Sequence, residues 1–182
     1  MFKRLVPALT ADESNILKSY MKAGNAPIGS IIMELGDRNK DIFFMISGSY
    51  EIYQRVDILS SPNALRIASL EGANILGEMN LFLSDSRQAT VVATSECKYF
   101  KISHDKLEEL LEENPIIAAK LYQQAGKILT TRLKSVQDNI YDRMIHTAEN
   151  THIAIKNMNK YIGPTKKCSI ALARKLFPTK AS

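Results

Sequence analysis

A carboxylate and a guanidinium, Glu78 and Arg87, lie on either side of a short apolar run in the stretch from Ile75 to Thr90. An ionised glutamate only accepts hydrogen bonds, which suits a hydroxyl donor. Arginine offers two parallel donors to two oxygens of one anion, a geometry lysine cannot match. Gly77 precedes the pair and lets the backbone turn sharply and approach a ligand closely. Residues 79–83 are long enough for one helical turn, whose N–H groups and dipole would face an anion arriving at the glycine end. Arg87 then leads into the strand-like run Ala89-Thr90-Val91-Val92-Ala93. The chemistry this set permits is capture of a small ligand that carries both a hydroxyl and a phosphate. The alternative is a surface ion pair across a loop, worth about 0–1 kcal/mol.

Such a set needs elements to hold it. Thr10-Ala11-Asp12-Glu13 has the form of a capping box and predicts a helix from about Ala11 to Met21, broken by Ala23-Gly24-Asn25-Ala26-Pro27. From Ile28 to Ile102, short alternating or apolar runs punctuated by turn residues predict a small antiparallel β-barrel or roll, with Ser60-Ser61-Pro62-Asn63 as its clearest hairpin loop. After Asn114-Pro115 the pattern becomes helical up to the stop signal Gly163-Pro164. Apolar or small residues recur there at Leu129, Leu133, Val136, Ile140, Met144, Ala148, Thr151, Ile155, Met158 and Ile162, a mean step of 3.67 residues. That period is nearer an 11-residue repeat than heptads, so any supercoil is weak or right-handed. Unbroken, the helix would run about 70 Å at 1.5 Å per residue; a break at the poor helix formers Asn150-Thr151-His152 is the alternative.

The order of these elements carries a resemblance. Ile28–Ile32 with the turn Glu34-Leu35-Gly36-Asp37, the run Phe43–Ser47 with Gly48 and then Tyr50–Tyr53, Gly72, the 75–90 stretch, Val91-Val92, Tyr99–Ile102 and two following helices together resemble the cyclic nucleotide-binding domains over about residues 6–140. Residues 75–90 resemble that family's phosphate-binding cassette. The resemblance implies an α+β fold: an antiparallel, jelly-roll-like β-roll of about eight strands, flanked by an N-terminal helix and a long C-terminal helix. The segments are then 1–23 (helical), 24–103 (β-roll), 104–163 (hinge and long helix) and 164–182 (basic tail). It also implies that Glu78 binds the ribose 2′-OH and Arg87 the cyclic phosphate. Backbone N–H groups near Met79, Asn80 and Ala89 would complete the phosphate cradle behind Gly77. Two positions depart from the pattern. Asn80 replaces a small residue close to the phosphate, and Gln88 replaces the usual Ala, Ser or Thr after the arginine. Loss of a Ser or Thr there removes one argument for cGMP, so cAMP is the expected ligand; Gln88 could itself donate to phosphate or base. The family's base-capping position falls near Arg132, whose guanidinium either stacks on a purine or faces solvent.

Composition narrows the class. At 182 residues, 45% hydrophobic and 24% charged, the chain is long enough for one domain with an appendage. The sequence contains no apolar run approaching the roughly 20 residues that span a bilayer, and its start does not read as a signal peptide. Cys97 and Cys168 have no metal-ligand spacing, which points to a reducing cytoplasm, and His104, His146 and His152 do not cluster. Glu108-Glu109 and Glu112-Glu113 read as a solvated helix face rather than paired catalytic carboxylates. No catalytic arrangement, metal site or cofactor is expected beyond the cyclic nucleotide itself.

Charge is uneven. The net charge is +5, yet no acid follows Glu149 while seven bases do (Lys156, Lys160, Lys166, Lys167, Arg174, Lys175, Lys180), leaving 17 bases against 19 acids before them. Such a block binds anionic surfaces or stays a solvated tail. Residues 169–177 look like one short amphipathic helix, not a complete winged reading head. The expected function is therefore a non-catalytic cyclic nucleotide sensor, cytoplasmic and homodimeric through the long helix, acting on an unidentified downstream protein. Its rivals are a shortened DNA-binding regulator using the basic tail, and an interaction module with a vestigial pocket.

Overall fold

The computed structural model describes residues 2–58, 61–83 and 86–162. The capping box is formed: the Thr10 N–H donates to Glu13 Oε2 at 2.7 Å, and the Glu13 N–H returns to Thr10 Oγ1 at 3.2 Å. It starts helix α2 (Ala11–Ser19), which follows a one-turn helix α1 (Phe2–Leu5) that seals the core with Phe2 and Leu5. The expected break after α2 contains strand β1 (Lys22–Ala26) instead. Gly24 and Asn25 are poor strand formers, so pairing decides the matter: all five residues of β1 match β8 (Cys97–Ile102), from Lys22↔Lys101 to Ala26↔Cys97. A Cβ at Gly24 would lie 2.5 Å from the Tyr99 ring and would push it aside.

The remaining strands are β2 (Ile31–Met33), β3 (Ile42–Ser47), β4 (Ser49–Ile58), β5 (Ser61–Glu71), β6 (Asn74–Leu76) and β7 (Thr90–Ala93). They form two antiparallel four-stranded sheets, ordered β1-β8-β3-β6 and β2-β7-β4-β5. β2 starts later than the sequence suggests, because Ser30 N–H bonds back to Pro27 and makes a turn of 27–30. The β4–β5 hairpin is longer than expected: its pairing runs on to Asp57↔Pro62 and Ile58↔Ser61, so Ser61, Pro62 and Asn63 belong to the strand. β5 is an edge strand, where proline is tolerated.

β3 explains why its sequence is a continuous apolar run rather than an alternation. Phe43 and Met45 pack with Tyr50, Leu76, Val91, Ala93 and Cys97 between the sheets. Ile42 and Phe44 point the other way, joining Ile75 and Ile102 beneath Phe2, Leu17, Leu107, Leu110, Ile117, Ala118 and Leu121. A strand buried on both faces has no polar side to show. The helices covering this second face are α1, α2, α3 (His104–Glu113) and the start of α4 (Pro115–Ile162). Polar ties reinforce the cover: Asn114 Nδ2 donates to Tyr20 Oη at 2.9 Å, Tyr20 donates to Glu113, and Lys120 Nζ reaches both Glu13 oxygens at 2.6 and 2.7 Å.

Residues to Thr131 form one compact unit and those from Arg132 a second. α4 remains helical through Asn150–His152, with Thr151 Oγ1 donating to the Thr147 carbonyl at 2.8 Å. In the second unit Leu133, Val136, Ile140, Met144 and Ile155 are exposed. The basic tail 164–182 and the short helix expected at 169–177 lie outside the described residues.

The Glu13 cluster sets a pH dependence. The Lys120 ammonium, then the Thr10 N–H, hold the Glu13 carboxyl below its ordinary value of 4.5. A carboxyl depressed by folding stabilises the fold fully above the unfolded value and loses that contribution as pH falls through the folded value. Glu13→Gln should therefore lower the urea midpoint at pH 7, and the gap to wild type should narrow as the pH falls below 4.5 and through the folded value. A gap independent of pH would show that the ion pair is not its source.

Candidate functional site

Arg87 is 3% exposed and Glu78 1%, so neither belongs to a surface ion pair. β6 delivers the chain to Gly77, whose φ of +78° is left-handed and favours glycine. Space imposes the same choice, since a Cβ at Gly77 would lie 2.5 Å from Arg87 Nη1 and 3.0 Å from the Asp41 carbonyl oxygen. From there Glu78–Leu81 makes a 3-10 turn, shorter than the helical turn expected over 79–83, and Phe82 and Leu83 close it by donating to the Met79 carbonyl.

The Arg87 side chain crosses Gly77. Nη2 donates to the Asp41 carbonyl, Nη1 donates to Asn80 Oδ1 at 3.4 Å, and the guanidinium carbon stands 5.9 Å from the Phe43 ring centre. Its backbone is fixed as well: Arg87 N–H donates to the Asp37 carbonyl at 2.8 Å, and Gly36 N–H to the Arg87 carbonyl at 2.9 Å. The glycine–aspartate turn at 34–37 thus anchors the arginine. Burial pulls the guanidinium below its ordinary pKa, and the negative charges of Asp41, Asp37 and Glu78 act against that pull. Arginine stays charged through such a shift. The arrangement is a buried cation beside a buried carboxylate at a left-handed glycine, able to take an anion and a hydroxyl of one ligand.

Residues 25–114 match the family model of the cyclic nucleotide-binding domain. These residues belong to that family. A crystal structure of a cyclic nucleotide-binding domain from Methylobacillus flagellatus KT is 25% identical, with a TM-score of 0.67 over 74% of each chain. The cAMP-activated global transcriptional regulator Vfr of Pseudomonas aeruginosa is 31% identical over 113 residues, 60% of this chain and 51% of Vfr. Rat patatin-like phospholipase domain-containing protein 7 is 22% identical over 62% of this chain, which amounts to 8% of that protein. The chain therefore spans about half of one of these relatives and less than a tenth of the other.

Within the cyclic nucleotide-binding domain, Gly77, Glu78, Met79, Asn80 and Arg87 are brought together at one turn, and Ala89 follows as β7 begins. Met79 is exposed and Asn80 half-buried. Gln88 is exposed, and its Nε2 donates to the Ser86 carbonyl at 3.0 Å, a contact within the loop itself. Arg132 begins the second unit. Asp41 is the participant that sequence reasoning missed. It acts through its main-chain oxygen, which leaves no side-chain signature, while its carboxylate pairs with Lys101 Nζ at 2.7 Å. A depression of about 550 Å³ lined by Tyr53, Arg55, Thr90 and Val92 lies on the far side of the β4–β7 pair, since Thr90 and Val92 alternate with the buried Val91 and Ala93. Among the described residues no group of three His, Cys, Asp or Glu is placed to hold a metal, and no helix is long and apolar enough to cross a membrane.

Gly77→Ala meets both the left-handed backbone and the guanidinium, and should cost about 1–3 kcal/mol in urea denaturation. A loss under about 0.5 kcal/mol, the range of an ordinary surface substitution, would mean that Arg87 is not seated against this turn.

Proposed function

We propose that the chain is a non-catalytic cyclic nucleotide sensor that binds cAMP in preference to cGMP and transmits occupancy through α4. The observation that carries this reading is the buried Arg87 held across Gly77 beside the buried Glu78, inside a matched cyclic nucleotide-binding domain. Arg87 would take the cyclic phosphate together with main-chain amides near Met79 and Ala89, and Glu78 the ribose 2′-OH. Two facts favour cAMP. No hydroxyl side chain follows Arg87, since Gln88 turns its amide to Ser86, and the relative Vfr is by its name cAMP-activated.

The route to α4 begins at the 3-10 turn itself. Leu81 packs against the helical side of the core, and Phe82 meets Tyr122 edge-on with ring centres 5.8 Å apart. A ligand that draws on this turn bears on α4 through those contacts. Coupling then requires different affinities for two positions of the helix. Exposed Leu133, Val136, Ile140 and Met144 support a homodimer formed through α4, with the output passing to a downstream protein. The free, buried Cys97 thiol accords with a cytoplasmic location.

Calorimetric titration with cAMP and cGMP tests the sensor. Arg87→Ala should weaken binding by about 10- to 100-fold, the worth of hydrogen bonds to a charged group, and Glu78→Ala by about tenfold or more. A folded wild type that binds neither nucleotide would refute the reading. For the helix, Ile140→Lys with Met144→Lys should convert a dimer to a monomer in light scattering. A wild type already monomeric at high concentration would remove the dimer from the proposal. A second reading, a transcriptional regulator, is favoured by the name of Vfr and by the seven bases after Glu149. It requires duplex DNA binding with a steep salt dependence.

A further inference from the structure

Two acceptors meet the Arg87 guanidinium, and they differ in kind. Nη2 donates to the Asp41 carbonyl, a main-chain atom fixed at the head of β3. Nη1 donates to Asn80 Oδ1, an atom on a rotatable side chain, at 3.4 Å. The second bond is long for N–H···O and correspondingly weak.

A carboxamide carries an acceptor and a donor on one rotatable plane. A half-turn about its terminal torsion replaces the carbonyl oxygen with an amino group that donates. A phosphate oxygen approaching Nη1 would meet the partial negative charge of Oδ1. After the half-turn it would meet an N–H instead. The exchange replaces the long bond between Arg87 and Asn80 with a charge-assisted bond between Nδ2 and the anion. The backbone of Asn80 need not move, since its N–H is held by the Gly77 carbonyl at 3.1 Å within the turn. A small residue at this position would leave the phosphate to Arg87 and backbone donors alone.

We infer that Asn80 binds the ligand phosphate through its side chain, its carboxamide turning over as the anion displaces it from Arg87. The inference rests on the cyclic nucleotide reading above and adds a second side-chain donor to the phosphate site. It makes the site sensitive to which exocyclic phosphate oxygen is presented, because a single donor addresses one oxygen.

The test is calorimetry of wild type, Asn80→Ala, Asn80→Asp and Arg87→Ala with cAMP and with the two phosphorothioate diastereomers of cAMP, in which sulfur replaces one exocyclic oxygen or the other. Asn80→Ala should weaken cAMP binding roughly tenfold. Asn80→Asp should weaken it further, since a carboxylate repels the phosphate and pairs with Arg87. Wild type should discriminate between the diastereomers, and Asn80→Ala should reduce that ratio several-fold. Unchanged or tighter binding by Asn80→Ala would overturn the inference, making Asn80 a bystander or an obstacle. A weakened Asn80→Ala that keeps the wild-type diastereomer ratio would also overturn it, as the mark of a merely structural role. In both cases binding by wild type that is lost in Arg87→Ala keeps the sensor reading intact. Failure of folded wild type to bind any of these ligands overturns the inference and the reading together.

Discussion

A guanidinium out of water is the constraint around which the first unit is built. Burying a charge costs several kcal/mol unless compensating contacts are in place, and Arg87 is buried almost completely. Its contacts dictate the neighbourhood. Asp41 supplies a carbonyl, Asn80 an amide oxygen and Phe43 a ring, while Gly77 supplies the absence of a Cβ. The Gly36–Asp37 turn holds the arginine's own peptide from both sides. The negative charges of Asp41, Asp37 and Glu78 offset part of the cost of that burial. An anion entering the site competes with these neighbours for the arginine.

The 3-10 turn Glu78–Leu81 connects this chemistry to the rest of the unit because its residues face two ways. Glu78 is buried and Asn80 reaches the guanidinium, while Leu81 and the adjoining Phe82 pack toward the helices. One short turn cannot shift on its ligand side and remain fixed on its helical side.

Much of this was legible in the residues. The capping box at Thr10 formed as its spacing requires, and the pairing of Gly77-Glu78 with Arg87 at one site followed from types and order. The departures have physical reasons. β1 was hidden because Gly24 and Asn25 argue against a strand, and only the long-range pairing with β8 and the ring of Tyr99 make one. Pro62 and Asn63 look like a loop, yet an edge strand tolerates both. α1 is four residues long, too short for any periodicity, and is held by what Phe2 and Leu5 bury. Asp41 entered the site through a carbonyl oxygen, which every residue possesses.

The ties between α2 and the later helices have a consequence for how the chain comes into being. Glu13 and Lys120 are 107 positions apart, Tyr20 and Asn114 are 94 apart, and β1 waits for β8. A ribosome releasing this chain from its N-terminus delivers α1, α2 and β1 long before their partners exist. Contacts of such separation fold slowly, because loop closure must precede them. Until α4 emerges, Ile117, Ala118 and Leu121 are missing from the cluster that covers Phe2, Leu17 and the outer face of β3. The helical side of the core is therefore among the last parts to close, and apolar surface left open while a chain folds is where aggregation starts.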